Sequence, residues 1–170
     1  MQHRAITLAV VAAVIAAVAC SSDATTTPVS KIVTFKATMN GASEFPTPNT
    51  STGTGTFTAT LDTATNIFTY DLAFTGLGTS VIAGHIHGPA AANASAGTTI
   101  NFGTLAGATF TLGATSGTGR GVSTLNAANQ ITATVNGDSL KKLLFAGLTY
   151  ANIHTTGIGS GEIRGQIIKQ

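Results

Sequence analysis

Hydrophobic and polar residues alternate along much of the chain after residue 30. In residues 54–61, glycine, phenylalanine, alanine and leucine alternate with threonine. Because successive side chains of a β-strand point to opposite faces, this pattern predicts strands with one buried and one solvated face. The turn residues 62–66 predict a hairpin between the second and third strands. Strands are predicted at residues 33–39, 54–61, 68–74, 81–87, 98–104, 109–112, 119–125, 130–135, 148–154 and 162–168.

One short segment has helical spacing instead. Asp138 is predicted to cap a helix, Leu140, Leu143 and Leu144 follow at helical spacing, and Gly147 ends the segment. The strands lie too close together in sequence for helical crossovers. The sequence therefore predicts an all-β fold, an antiparallel β-sandwich or flattened Greek-key barrel with one short helix. The residues expected to share one core are Val33, Phe35, Phe57, Leu61, Phe68, Leu72, Ile86, Ile153 and Ile163.

Residues 1–20 have the features of a bacterial lipoprotein signal peptide. Their apolar run of about 15 residues is shorter than the roughly 20 that span a bilayer. The run ends in Ala17-Val18-Ala19-Cys20, which resembles the lipobox, where the cysteine is lipidated and becomes the new N-terminus. Residues 21–30 are polar and predict a flexible tether, so the folded domain is expected at 31–170. We therefore expect an extracytoplasmic protein anchored to the membrane through Cys20, in the outer membrane if the cell has one.

Composition narrows the possible functions. Only 8 % of the residues are charged and the formal net charge is +2. The basic residues form no stripe, so we expect no nucleic-acid partner. Cys20 is the only cysteine, so the domain must rely on its core without an internal disulfide. The sequence contains no complete catalytic constellation, which favours a binding domain over an enzyme.

Histidines on two separate predicted strands are the main candidates for chemistry. His85 and His87 alternate with Ile86, so their side chains share a face with Cα atoms about 6.5–7 Å apart. Tyr150 and His154 share the outer face of a later strand. If the two strands are neighbours, three imidazoles converge, and imidazoles are ligands that copper and zinc accept. The alternative interpretation is structural: the histidines bond carbonyls or carboxylates and hold loops.

A second group of polar residues is predicted to form a surface patch beside the histidines. The group consists of Glu44, Asn152, Glu162 and Arg164. Glu162 and Arg164 alternate with Ile163, so they share a face and could form an ion pair or bind an anion. Gly161 and Gly165 bracket them, which indicates a close backbone approach or a bulge.

Three motifs, in order, resemble the CHRD domain. They are the segment from Asn40 to Pro46, His85-Ile86-His87-Gly88, and the pair Tyr150-Ala151-Asn152-Ile153-His154-Thr155 and Gly161-Glu162-Ile163-Arg164-Gly165-Gln166. The CHRD domain occurs as repeats in chordin, an extracellular growth-factor antagonist, and singly in many secreted bacterial proteins. The resemblance covers roughly residues 31–168. It implies an extracytoplasmic domain and carries no general catalytic activity.

A more distant likeness is to copper/zinc superoxide dismutase. That enzyme also carries a His-x-His pair on one sandwich strand and another copper ligand on a later strand. The likeness implies copper ligands at His85, His87 and His154 and an anion-guiding role for Arg164. The chain departs from the enzyme because no histidine lies between His87 and His154 and the disulfide is absent.

Together, these features predict a cell-envelope lipoprotein whose domain binds a protein, a glycan or a metal ion. The alternative is a copper- or zinc-binding envelope protein with the architecture of superoxide dismutase.

Overall fold

A computed structural model describes residue 29 and residues 31–128, 131–132 and 135–170. The predicted signal peptide 1–20, with Cys20, and most of the tether 21–30 lie outside the described residues, as do three positions of the predicted strand 130–135. The described strands are β1 (Ile32–Asn40), β2 (Thr54–Asp62), β3 (Ile67–Thr75), β4 (Val81–His87), β5 (Thr98–Asn101), β6 (Thr109–Phe110), β7 (Gly117–Thr124), β8 (Thr149–Thr155) and β9 (Ile163–Lys169). A 3₁₀ turn, Gly41–Ser43, follows β1, and the helix α1 is Gly137–Phe145.

The strands form one antiparallel sheet in the order β5-β4-β8-β9-β1-β2-β3-β7-β6. The predicted hairpin between β2 and β3 is present, with Asn66 in the left-handed conformation that its turn requires. The sheet curls so that its two ends approach each other. Val81 of β4 donates to the carbonyl of Ala114 at 2.9 Å, and Gly113 donates back to Val81 at 2.9 Å. The all-β prediction, with one helix among the described residues, is confirmed.

The curl encloses one hydrophobic core. The rings of Phe57, Tyr70 and Phe102 form one cluster, in which Phe57 lies at centroid distances of 6.0 and 6.1 Å from the other two. All nine predicted core residues are buried in this cluster. The alternation of threonine with apolar residues therefore identified the buried faces correctly, because the outward positions of these strands can remain solvated.

The predicted helix is present, but its cap differs. Asn136, and not Asp138, is the N-cap: its side-chain oxygen accepts a hydrogen bond from the backbone of Ser139 at 2.9 Å. Asp138 lies in the first turn and forms an ion pair with Lys141 at 3.0 Å. Gly147 ends the segment with a φ of 66°, as predicted.

Strand β4 departs from strict alternation at its start. Its register with β8 shifts between Val81 and Ala83, so Val81 is buried and Ile82 is 51 % exposed. Alternation with Ile86 in the sequence predicts that Ile82 also faces the core. That prediction is wrong, because a bulge reverses the facing of the residues before it. Strands β5 and β6 are shorter than predicted and lie at the two ends of the strand order.

No helix in the described ranges has the length and apolar character that a membrane crossing requires.

Candidate metal centre

The pairing of β4 with β8 brings the three predicted histidines together. His85 and His87 lie on β4, and His154 lies on β8 opposite Ala83. Ile86 and Ile153 are fully buried in the core on the other face of these two strands. The imidazoles therefore lie on the outer face of the sheet, as the alternation predicted.

The three rings are close enough to share one ion. The ring centroids of His85 and His154 are 4.8 Å apart, those of His85 and His87 5.2 Å, and those of His87 and His154 5.7 Å. One nitrogen from each ring lies within 4.8 Å of the others. A distance above about 10 Å between His154 and the pair would have excluded a shared ion, given ligand bonds of about 2 Å.

Loop carbonyls determine which nitrogens face the centre of the cluster. Nδ1 of His87 donates to the carbonyl of Ala96 at 3.0 Å, and Nδ1 of His154 donates to that of Gly159 at 3.0 Å. A carbonyl can only accept, so these neutral rings carry their proton on Nδ1 and keep a lone pair on Nε2. Nδ1 of His85 then donates to Nε2 of His154 at 3.0 Å. The structural interpretation accounts for the two carbonyl bonds and the bond between His85 and His154, but it leaves Nε2 of His87 without a role.

One of those nitrogens has no partner. Nε2 of His87 is buried and makes no hydrogen bond within the part of the chain that the structure describes. A buried polar atom without a partner costs free energy, so its presence calls for an explanation. A metal ion in the cluster would satisfy it.

The imidazoles are held in the neutral form that coordinates metals. Burial, with smaller contributions from the other imidazoles, lowers the pKa of His85 to about 4. Burial also lowers the pKa of His87 to about 4, against the hydrogen bond to Ala96. Burial lowers the pKa of His154 in the same way. At neutral pH the site therefore presents three uncharged ligands.

The geometry fits copper or zinc. Two nitrogens bound to one ion at 2.0–2.1 Å and at angles of 90–110° are about 2.8–3.4 Å apart, and the His85–His154 pair is already at 3.0 Å. For all three rings to bind as neutral ligands, the Nδ1 proton of His85 would have to move to its Nε2, and His87 would have to move inward. Ligands that are all imidazole suit copper and zinc better than calcium or magnesium, which prefer oxygen.

The polar group beside the histidines is buried, so the prediction of a surface patch is wrong. Glu44 is 6 %, Asn152 3 %, Glu162 1 % and Arg164 1 % exposed. Asn152 on β8 and Arg164 on β9 do lie on the outer face, as alternation predicts, whereas Glu44 and Glu162 lie outside the strands. The segments 41–53 and 88–97 cover that face, and neither has a periodicity that predicts where it folds. Arg164 therefore does not lie at the surface, where the likeness to superoxide dismutase placed it to guide an anion.

The four residues divide into separate contacts. The side-chain amide of Asn152 donates to Oε2 of Glu44 at 3.2 Å. Arg164 donates to the carbonyls of Ala91 and Ala94. The expected ion pair between Glu162 and Arg164 does not form at 4.0 Å or less among the described residues.

Glu162 instead holds loops with its own hydrogen bonds. It accepts from the hydroxyls of Ser51 and Thr155 and from the backbone of Gly78, each at 2.6 Å. Burial alone would raise the pKa of Glu162, but these hydrogen bonds outweigh burial and lower it. Glu162 is therefore a structural carboxylate.

Gly161 and Gly165 lie where the backbone approaches its neighbours closely. A Cβ on Gly161, whose φ is 133°, would lie 2.6 Å from Oδ1 of Asn152, and a Cβ on Gly165 would collide with the carbonyl of Thr38. Both positions bring the backbone close to a neighbouring strand or side chain, as predicted.

Sequence reasoning missed three features of the centre. Tyr150 stacks on His87 with ring centroids 4.8 Å apart and planes within 5°, and the carbonyls of Ala96 and Gly159 orient two of the imidazoles. The alternation of Tyr150 with His154 already placed both on one face, but not in contact with His87. The carbonyls lie in loops whose paths no local pattern specifies.

Comparison with known proteins identifies the domain. A family model described as the CHRD domain matches residues 35–167, most of the chain. No curated protein and no solved structure matches the chain.

Proposed function

Because this chain belongs to the CHRD domain family, whose domains are typically extracellular and indicate binding or interaction, we propose that it binds one copper or zinc ion. The ligands are His85, His87 and His154. The observation that carries this proposal is the convergence of the three imidazoles, since one nitrogen of each ring lies within 4.8 Å of the others. A loop carbonyl accepts the Nδ1 proton of two of these rings.

Metal retention tests this function directly. Protein purified without an affinity tag, loaded with copper or zinc and dialysed, is expected to keep about one equivalent, because three nitrogens can share one ion. His85→Ala and His87→Ala should each abolish retention. Asn101→Ala is the matched control, since Asn101 is the exposed register partner of His85 on β5 and supplies no ligand. If the wild-type protein retains neither metal, the metal function is wrong, and a protein or glycan becomes the expected ligand of this binding domain.

We further propose that Cys20 carries lipid that anchors the domain to the outer side of the envelope, in the outer membrane where one exists. The support is the apolar segment that ends in Ala17-Val18-Ala19-Cys20. Stable anchoring requires more than one acyl chain, which bacterial lipoproteins have. Cys20→Ser should leave an uncleaved precursor or release the protein from the membrane fraction. Processing and membrane association unchanged in the Cys20→Ser variant would contradict the anchor.

A further inference from the structure

We propose that Arg164 is a positioning residue that holds the imidazole of His87 in the orientation required for metal binding. The proposal rests on the metal-binding function given above. It assigns a role to a charged side chain that lies behind the histidine cluster and supplies no ligand to it.

The environment of Arg164 is unusual for an arginine. Its residue is 1 % exposed, and no carboxylate lies within ion-pair distance in the described part of the chain. The charge of Glu44 acts on Arg164 only from beyond that distance. A buried charge without a direct ion pair is costly, and hydrogen bonds and packing must offset that cost. The contacts that do so lead to His87 by two routes.

The first route runs through the loop 88–97. Arg164 donates to the carbonyl of Ala94 at 2.7 Å and to that of Ala91 at 3.2 Å. Two residues further along, the carbonyl of Ala96 accepts the Nδ1 proton of His87 at 3.0 Å. Arg164 therefore fixes the loop that fixes the tautomer of His87 and leaves its Nε2 free to bind.

The second route runs through Tyr150. The guanidinium carbon of Arg164 lies 3.5 Å from the centroid of the Tyr150 ring. The same ring stacks in parallel on the imidazole of His87. The hydroxyl of Tyr150 also donates to Ala96 at 3.4 Å and accepts from its backbone N–H at 3.3 Å. Both routes end at the same imidazole, which sets the plane of the ring as well as its tautomer.

Only an arginine satisfies both routes at once. Its planar guanidinium presents donors to two carbonyls while one face stacks on an aromatic ring. Both carbonyls accept from one nitrogen of Arg164, Nη2, so a lysine ammonium could replace these two hydrogen bonds. Lysine would also keep the positive charge, but it has no flat face to stack on Tyr150. The comparison of Arg164→Lys with Arg164→Gln therefore separates position from charge.

Copper affinity gives the first measurement. Cu(II) dissociation constants are obtained by competition with a chelator for the wild type, Arg164→Lys, Arg164→Gln and the control Arg120→Gln. Arg120 is exposed and forms an ion pair with Asp71 at 3.6 Å. It takes no part in the two routes that lead from Arg164 to His87. We expect both Arg164 variants to bind about 10–100-fold more weakly, as is typical when outer-shell partners of a metal ligand are lost. We also expect an altered Cu(II) electron paramagnetic resonance spectrum, whereas the Arg120 variant should match the wild type.

Nitrogen NMR of the metal-free protein gives a second measurement that does not depend on copper. In the wild type, His87 should be a single tautomer with the proton on Nδ1; in folded Arg164→Lys it should be a mixture of tautomers. If Arg164→Lys unfolds, Tyr150→Leu removes the stacking route and should show the same tautomer mixture.

Two results would overturn the proposal: wild-type affinity and spectrum in folded Arg164→Lys, or an unchanged His87 tautomer in both variants. Failure of the wild type to bind copper would contradict the proposed copper-binding function instead. The NMR comparison of the metal-free proteins would still show whether Arg164 sets the tautomer of His87.

Discussion

The carboxyl group of Glu44 lies in an environment that favours its protonated form. Burial raises its pKa to about 7, against the hydrogen bond from Asn152 and the charge of Arg164. Oε1 of Glu44 and Oδ1 of Asn152 are both buried without a partner among the described residues. Both also lie within 2.7 Å of the point that a Cβ on Gly161 would occupy. A proton on Glu44 would therefore let the acid and the amide pair through two hydrogen bonds.

This arrangement predicts an unusual pH dependence of stability. The pKa of Glu44 rises from 4.5 to about 7 on folding, so the folded protein binds more protons in that window and its stability falls as pH rises through it. Glu44→Gln mimics the protonated acid. It should match the wild type at pH 4.5 and be more stable at pH 8, by on the order of 3 kcal/mol in urea unfolding of the metal-free protein.

Glu162→Gln is the matched control for Glu44→Gln. The pKa of Glu162 is lowered, so its carboxylate contributes stability above its ordinary pKa and loses it as pH falls. Its replacement should destabilise the protein at pH 8. A Glu44→Gln variant that is equally destabilised at both pH values would contradict the paired acid and amide.

For polar side chains, the sequence predicted which of them share the outer face of the sheet but not which of them are buried there. The i, i+2 spacing was sufficient for His85, His87 and His154, because pairing of β4 with β8 then brings them together. The burial of Glu44 and Arg164 depends on loops that cross the outer face. A polar side chain on an outer strand position is normally solvated, so alternation alone predicts exposure.

Among the elements, β9 depends on a glycine for its approach to β1. Gly165 lies against the backbone of β1, where an added Cβ would meet the carbonyl of Thr38 and lie 3.1 Å from Cγ of Met39. The neighbour on one side is backbone, which cannot move aside as the end of a flexible side chain can. The approach of β9 to β1 is thus set by the absence of a side chain at this position.

Gly165→Ala should therefore separate β9 from β1 and lower the melting temperature clearly. We expect a cost of about 1–3 kcal/mol, the usual range for overpacking. Gly97→Ala serves as the control, because a Cβ on Gly97 meets nothing within 4 Å. Equal melting temperatures for the two variants would show that β9 accommodates a side chain at this position.

The sequence located the long strands and the helix and was least accurate for the short edge strands. The segments predicted at 98–104 and 109–112 contain β5 and β6, which have four and two residues. An edge strand has one neighbour, so fewer hydrogen bonds and side-chain contacts determine where it ends. The bulge at the start of β4 has a similar origin, since it depends on pairing with β8 and leaves no local pattern.

The whole molecule is held together across the curl of the sheet. Phe57 of β2 contacts both Tyr70 of β3 and Phe102, which follows β5 at the far end of the strand order. Burial of aromatic rings between the two ends is what a curled sheet gains over a flat one. The order of the strands could not be predicted, because alternation specifies faces and not neighbours.

Phe57→Ala should destabilise the domain by about 3–5 kcal/mol, since it leaves a cavity where the β5 end of the sheet packs against β2 and β3. Thermal or urea unfolding will measure this loss, which is large against a total stability of about 5–15 kcal/mol. Val122→Ala is the control on β7, where the side chain is 48 % exposed and the expected change is within about 0.5 kcal/mol. A loss of stability no larger than that of the control would mean that the Phe57 ring is not needed to pack the β5 end of the sheet against β2 and β3.

The pairing of β4 with β8 also determines when the metal site can exist. His85 and His154 are 69 positions apart in the chain, with β5, β6, β7 and α1 between their strands. A growing chain that has been synthesised only as far as β7 contains His85 and His87 but lacks His154, the third proposed ligand. Under the proposed function, loading would therefore follow the synthesis of β8 and its pairing with β4. If the chain is exported unfolded, its ion comes from the compartment where folding ends, and the metal supply there decides between copper and zinc.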